Sequence, residues 1–157
     1  MLNLITDRTQ GDVDRTVYLK AKQWQDMTAE ERSEWAADSK GAYNASDLNR
    51  VEAAVQYVAN QMIELGYPIS LSTVTSWSKS SKPNANDLQR YFSNVAKLRA
   101  MFPVYGTTPA TPSSNMATFN HEKANDLEKI LLDVDDLLNK MAAAWFYTGD
   151  LFAGESD

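Results

Sequence analysis

Cysteine is absent from this chain of 157 residues, histidine occurs once and glycine only six times. Without a thiol there is no disulfide framework, no thiolate nucleophile and no cysteine-ligated zinc. The single His121 stands at an expected helix start with no nucleophile near it in sequence, and reads as a solvated or capping residue. Long apolar runs are missing too. No stretch reaches the twenty or so apolar residues that a spanning helix needs, and Met1 to Ile5 lacks the basic start and apolar run of a signal peptide. The expectation is a soluble protein made in a cytoplasm, with no membrane partner. Positive charge is in deficit, with 15 Lys and Arg against 21 Asp and Glu and a net charge of −6. Such a surface repels phosphate backbones, so nucleic acid is not the expected partner. There is no Gly-x-Ser-x-Gly elbow, no phosphate-cradling glycine loop and no His-Glu-x-x-His helix. No catalytic residue, metal ligand or cofactor is therefore assigned.

What is present is helical. Hydrophobic residues make up 43% of the chain and charged residues 23%, which suits one domain with a real core. Helix starts recur as a capping residue followed three positions later by an acid: Thr9 and Asp12, Thr28 and Glu31, Asn44 and Asp47, Asn84 and Asp87. Stop signals follow at Gly41, Gly66, Pro103 and Gly149. The predicted helices are 10–26, 29–38, 45–65, 85–101 and 121–148. The first two should form a helical hairpin over 9–40 with Val13, Val17, Ala21, Trp24 and Trp35 inward. Residues 69–77 alternate apolar and polar, which fits a short strand or an extended connector. Residues 103–118 carry three prolines and should form an exposed irregular loop.

The strongest pattern is a threefold repeat with a period near 40 residues. Its copies begin Asn44-Ala45-Ser46-Asp47-Leu48-Asn49-Arg50, Asn84-Ala85-Asn86-Asp87-Leu88-Gln89-Arg90 and Lys123-Ala124-Asn125-Asp126-Leu127-Glu128-Lys129. Each continues with apolar residues at steps of three and four: Leu48, Val51, Val55, Val58, Met62; then Leu88, Tyr91, Val95, Leu98, Phe102; then Leu127, Ile130, Val134, Leu137, Met141. That is the seam of helices packed side by side. In the third copy Lys123 replaces the capping Asn, so Asn120 is the expected cap. The fold class is mainly α, a bundle of about five helices with a three-helix core of similar repeats over 44–148 and a short tail at 149–157.

Asp133, Asp135 and Asp136 read as a solvated helix face. The basic residues between Lys79 and Arg99 read as partners for the acidic last helix or for another subunit. Trp24, Trp35 and Trp145 suit a core. Trp77, in a polar connector, suits either a bundle edge or a partner contact. Trp145, Phe146 and Tyr147 follow three alanines and form an apolar plug for the monomer or for a partner.

Ile5 to Gln10, Lys40 to Glu52, Ala124 to Leu131 and Ala144 to Gly149 resemble a group of phage and prophage tail-region proteins of Gram-positive bacteria. The resemblance covers nearly the whole chain except Val104 to Met116. It implies a non-enzymatic structural or adaptor subunit of a phage tail or baseplate, located in the virion. Such a subunit would partner itself or other tail proteins, as a homo-oligomer or as a ring on a symmetric partner. The competing reading is a module that binds host-surface carbohydrate or protein through Trp77, Tyr67, Tyr105 and the proline-rich loop. The candidate partner-binding residues are thus Trp77, Tyr67, Tyr105, Trp145, Phe146 and Tyr147.

Overall fold

A computed structural model describes residues 2–152, with side chains described through residue 144. Five α-helices follow in order: α1 Gln10–Ala21, α2 Ala29–Ala36, α3 Ala45–Glu64, α4 Ala85–Ala100 and α5 His121–Phe152. Short 3-10 turns lie at Trp24–Asp26 and Met116–Thr118. No strand occurs among the described residues, and 69–77 is an extended connector.

The capping pairs start the helices as their spacing predicts. The Thr9 backbone donates to Asp12 Oδ2 at 2.8 Å and the Asp12 backbone donates back to Thr9 Oγ1 at 3.3 Å. Thr28 and Glu31 exchange the same bonds at 2.9 and 3.2 Å, and Asn84 and Asp87 at 2.9 and 3.0 Å. The Asn44 backbone donates to Asp47 at 2.6 Å. Asn120 Oδ1 accepts from the Lys123 backbone at 3.0 Å, so the displaced cap of the third copy is where the sequence puts it. At the far end of α3, Gly66 takes φ +83°. This lets the Gly66 and Tyr67 N–H groups reach Ile63 O and Met62 O at 3.0 and 2.9 Å, the paired bonds that close a helix on a left-handed residue. Gly149 does not end α5, which runs on to Phe152. One glycine costs a helix about 1 kcal/mol and does not by itself terminate it.

The three repeat helices pack on one another in parallel, not up and down. Arg50, in the second turn of α3, reaches Glu128 in the second turn of α5 at 2.8 Å. Arg90, in the second turn of α4, reaches Glu52 of α3 at 2.6 and 2.9 Å. At the other end, Tyr67 just after α3 meets Phe102 just after α4 edge to face, with ring centroids 4.7 Å apart. Parallel neighbours need long returns, and residues 65–84 and 101–120 supply them, running back along the bundle. All five seam residues of α3 are buried, as are Tyr91, Val95, Leu98, Leu127, Ile130 and Val134. Leu88 and Phe102 are half-buried. On α5 the buried stripe passes through Leu131 and Leu138, with Leu137 only half-covered.

The return segments are fastened to the helices they cross. Asn49 acts as a backbone mimic for Trp77, its Nδ2 donating to Trp77 O and its Oδ1 accepting from Trp77 N, both at 2.8 Å. Ser72 O accepts from Arg90 Nη1 at 2.8 Å and Asn94 Nδ2 at 2.7 Å. The 103–118 loop is irregular but not free. Thr108 is buried and its hydroxyl donates to Asp133 at 2.7 Å, while Arg99 Nε donates to Pro109 O at 2.8 Å.

α1 and α2 pack on each other as a pair, but their inward face differs from the expected one. α1 stops at Ala21, because the chain leaves the helix at Lys22, whose ammonium reaches Glu31 of α2 at 2.8 and 2.9 Å. Leu19 and Met27 are the buried apolar residues of this pair. Val13 is half-buried and Ala21 is exposed. Val17, Trp24 and Trp35 are 61%, 57% and 38% exposed, so the core role expected of them is corrected. Trp24 sits in the 3-10 turn, where the Arg32 guanidinium covers its ring at 5.4 Å and donates to its carbonyl at 3.0 Å.

Candidate functional site

Two features at the N-terminal end of the bundle combine burial with polar or apolar specialisation. The first is a closed charge cluster. Arg8, in the segment before α1, is buried, and its Nη2 donates to Asp47 Oδ1 at 2.8 Å and Glu128 Oε1 at 2.7 Å. Arg50 approaches the same two carboxylates from the other side. Glu128 also accepts from the Ile5 backbone at 2.5 Å, and Asn125 exchanges bonds with the Arg8 backbone at 3.1 and 2.9 Å. Two cations thus meet two anions in the N-terminal turns of parallel helices, and Asp47, in the first turn of α3, also faces the positive end of that helix dipole. Burial works against the charge on Arg50, but the hydrogen bonds it donates to Glu128 and Asp47 outweigh it and hold its pKa above the ordinary arginine value. Asp47 and Glu128 each accept four hydrogen bonds, and Glu52 accepts two from Arg90. Such an arrangement clamps residues 5–8 across α3 and α5.

The second feature is a cleft of about 920 Å3 between the α1–α2 pair and the first turns of α3 and α4. Leu48, Leu88, Tyr91, Phe92 and Phe119 line it on the bundle side, and Val17 and Trp35 line it on the hairpin side. Exposed Met116 lies at its edge. Tyr43 and Tyr91 share a hydrogen bond between their hydroxyls. Burial pushes both phenols above their usual pKa, so the pair stays neutral. Tyr43, Phe119 and Phe92 form an edge-to-face chain with centroids 5.0 and 5.5 Å apart. Among the charged lining residues, Lys20 and Lys79 stand against Asp38, which pairs with Lys79 at 3.1 Å. The cleft is apolar and aromatic-floored, and Lys20 is the one lining lysine without an ion pair among the described residues. The cleft lies at the upper end of the size range of ligand pockets and can take a helix or peptide carrying several large apolar side chains.

The sequence-derived candidates do not converge on one surface. Trp77 is half-buried against the core beside the start of α3, whereas Tyr67 lies at the opposite end against Phe102. The Tyr105 hydroxyl donates to Asp136 at 2.6 Å and accepts from Lys140 at 3.0 Å on the outer face of α5. Trp145, Phe146 and Tyr147 lie on the helical backbone of α5, and their side chains are outside the described residues. His121 lines a smaller hollow of about 260 Å3 beside the cleft, with Arg8 and Gly41. The acidic run on α5 is not a solvated face. Asp133 and Asp135 are buried and Asp136 alone is exposed; the 103–118 loop covers Asp133 through Thr108. Among the described residues no group of three or more His, Cys, Asp or Glu is placed to hold a metal ion, and no helix is long and apolar enough to cross a membrane.

Sequence reasoning missed the cluster and the cleft. For the separate Glu52–Arg90 pair there was a readable signal, since Glu52 stands four residues after Leu48, where the other copies have Phe92 and Leu131. The cleft joins segments 16–20, 35–48, 78–92 and 116–119, and no local pattern announces it. Comparison of the chain with family models, with curated proteins and with solved structures gives no match.

Proposed function

We propose that this chain is a non-enzymatic structural or adaptor subunit of a phage tail or baseplate, acting by protein–protein assembly. The resemblance of its long stretches to tail-region proteins motivates the reading. The observation that carries it is the apolar cleft, whose Val17, Trp35 and Met116 remain exposed at the end of a three-helix core. Exposed large apolar groups gathered on one concave surface are characteristic of a docking face. The buried carboxylates support the same reading, because Asp47, Glu52 and Glu128 are all engaged by arginines in holding helices together. Mass spectrometry of purified phage particles tests it. The chain should be recovered in fixed stoichiometry with known tail proteins, and its absence from particles would sink the reading.

Host-surface binding is the second reading, favoured by the exposure of Trp24 and Trp35. A cell-wall or glycan pull-down should then lose signal on Trp35→Ala, and retention of full signal removes it.

A further inference from the structure

α5 is out of proportion to its partners. It has 32 residues, about 48 Å, against 20 in α3 and 16 in α4. The Arg50–Glu128 contact sets Leu48 level with Leu127. In that register α3 ends opposite residue 143, since Glu64 is 16 residues past Leu48. The nine residues 144–152 therefore continue as helix past the end of α3, for about 14 Å. This projecting stretch carries Trp145, Phe146, Tyr147, Leu151 and Phe152, and Tyr147 and Leu151 recur at helical spacing, as do Trp145 and Phe152. From residue 141 to 157 the sequence holds three acids, Asp150, Glu155 and Asp157, and no lysine or arginine.

The cleft has the complementary character and lies at the other end of the bundle. Its floor is at the level of Leu48 and Leu88, and its charged lining residues are Lys20, Lys79 and Asp38, of which Lys79 and Asp38 pair at 3.1 Å. Lys20 has no ion-pair partner among the described residues. The unpaired Lys20 leaves the lining with a net positive charge on a chain of net charge −6, which favours an acidic partner. The projecting segment cannot reach the cleft of its own chain. Phe152 is 25 residues beyond Leu127 along one helix, about 38 Å from the cleft floor.

We propose that the cleft receives the projecting C-terminal end of α5 from a second copy of this chain, so that copies join head to tail. The inference rests on the reading of the chain as an assembling subunit and names its partner. The aromatic residues of the incoming helix fill the apolar floor, and its acids face Lys20 and Lys79. A contact between two different patches is heterologous, and repeated it closes a ring or propagates a filament.

The absence of cysteine makes the test clean. Full-length chains carrying Val17→Cys are mixed with chains carrying Asp150→Cys and oxidised, and mixed disulfide dimers are counted by mass spectrometry. Their yield should exceed by about tenfold that of a control pairing Gln56→Cys with Asp150→Cys, a bias of about 1.4 kcal/mol. Gln56 is exposed on α3 outside the cleft. Equal yields overturn the proposal. Charge reversal gives an independent arm. Lys20→Glu with Lys79→Glu should weaken self-association in sedimentation by about tenfold, and adding Asp150→Lys with Glu155→Lys should restore it. No loss, or loss without restoration, overturns the docking. A chain that self-associates without the Val17–Asp150 cross-link meets its copies elsewhere, which removes this docking and leaves the assembly reading standing. A chain that stays monomeric at every concentration also removes it, and recovery from particles then decides the assembly reading separately.

Discussion

The Arg8 guanidinium lies 2.7 Å from the Glu128 carboxylate, joining two buried side chains 120 positions apart. Asp47 and Arg50 complete the square. The segment before α1 is thereby tied to two of the three repeat helices, while its Leu2 and Leu4 pack against the core. Replacing Arg8 by Met keeps much of the volume but leaves two carboxylates sharing one arginine in a buried site. Breaking a buried pair on one side costs about 3–5 kcal/mol. Urea denaturation of Arg8→Met should show a loss in that range. A loss under about 1 kcal/mol would mean that water enters the cluster and screens it.

A second ion pair controls the α1–α2 unit through pH. Hydrogen bonding from Lys22, and then from the Thr28 backbone, pulls the Glu31 carboxyl down to about 2 from its ordinary 4.5. A depressed folded-state pKa stabilises above the unfolded value and loses that contribution as pH falls through the folded one. The Glu31 contribution is thus complete above about pH 5 and fades toward pH 2. Lys22, raised above its usual value by the same carboxylate, carries the matching dependence at high pH. Glu31→Gln should lower the denaturation midpoint at pH 7, and its gap from the wild type should narrow as pH falls below 4.5 and close only below about pH 2. A gap independent of pH would assign the effect to the cap alone.

Much of this architecture is legible in the sequence, because it is local. The four capping pairs and the displaced Asn120 cap need only i to i+3 geometry, and the seams of three and four need only the helical period. The direction of the helices is not legible from those signals, since a seam reads the same either way. The 20-residue returns at 65–84 and 101–120 hold that information, because antiparallel neighbours would be joined by short loops. Trp24 and Trp35 were misread because burial of apolar residues is a tendency that runs one way. A cation over the ring serves Trp24, and the cleft claims Trp35. The cleft itself arises only when the hairpin comes to rest against the bundle.

That docking of the hairpin depends on Gly41. A Cβ built there would stand 2.0 Å from the Asp12 carbonyl oxygen and 2.6 Å from Thr16 Oγ1. The obstacle is helix backbone, which cannot turn aside as a flexible side chain would. Gly41 therefore does more than follow α2, since it lets the chain pass directly against α1 beside the Thr16–Ser39 hydroxyl contact. Gly41→Ala should push α1 outward and cost about 1–3 kcal/mol, the usual range for overpacking. Hydrogen exchange should report the loss in α1 and α2 amides while α3 and α5 stay protected. Uniform loss of protection would show that the hairpin and the bundle unfold as one.

Asp135 presents the opposite case, a buried carboxylate with an unsatisfied atom. It faces inward on α5, and its Oδ1 has no hydrogen-bond partner. Burial raises its pKa above the ordinary aspartate value. A raised carboxyl pKa means that the folded state prefers the proton, so ionisation destabilises the fold. The penalty is absent below the unfolded pKa and complete once pH has risen through the folded one. Asp135→Asn removes the charge and retains the shape. It should raise the melting temperature at pH 7, and the gain should shrink as pH falls toward 4 and vanish below the unfolded value. Thermal melts of both proteins at pH 7, 5 and 3.5 check this. A variant less stable than the wild type at pH 7 would show that the carboxylate holds a stabilising partner stronger than its desolvation.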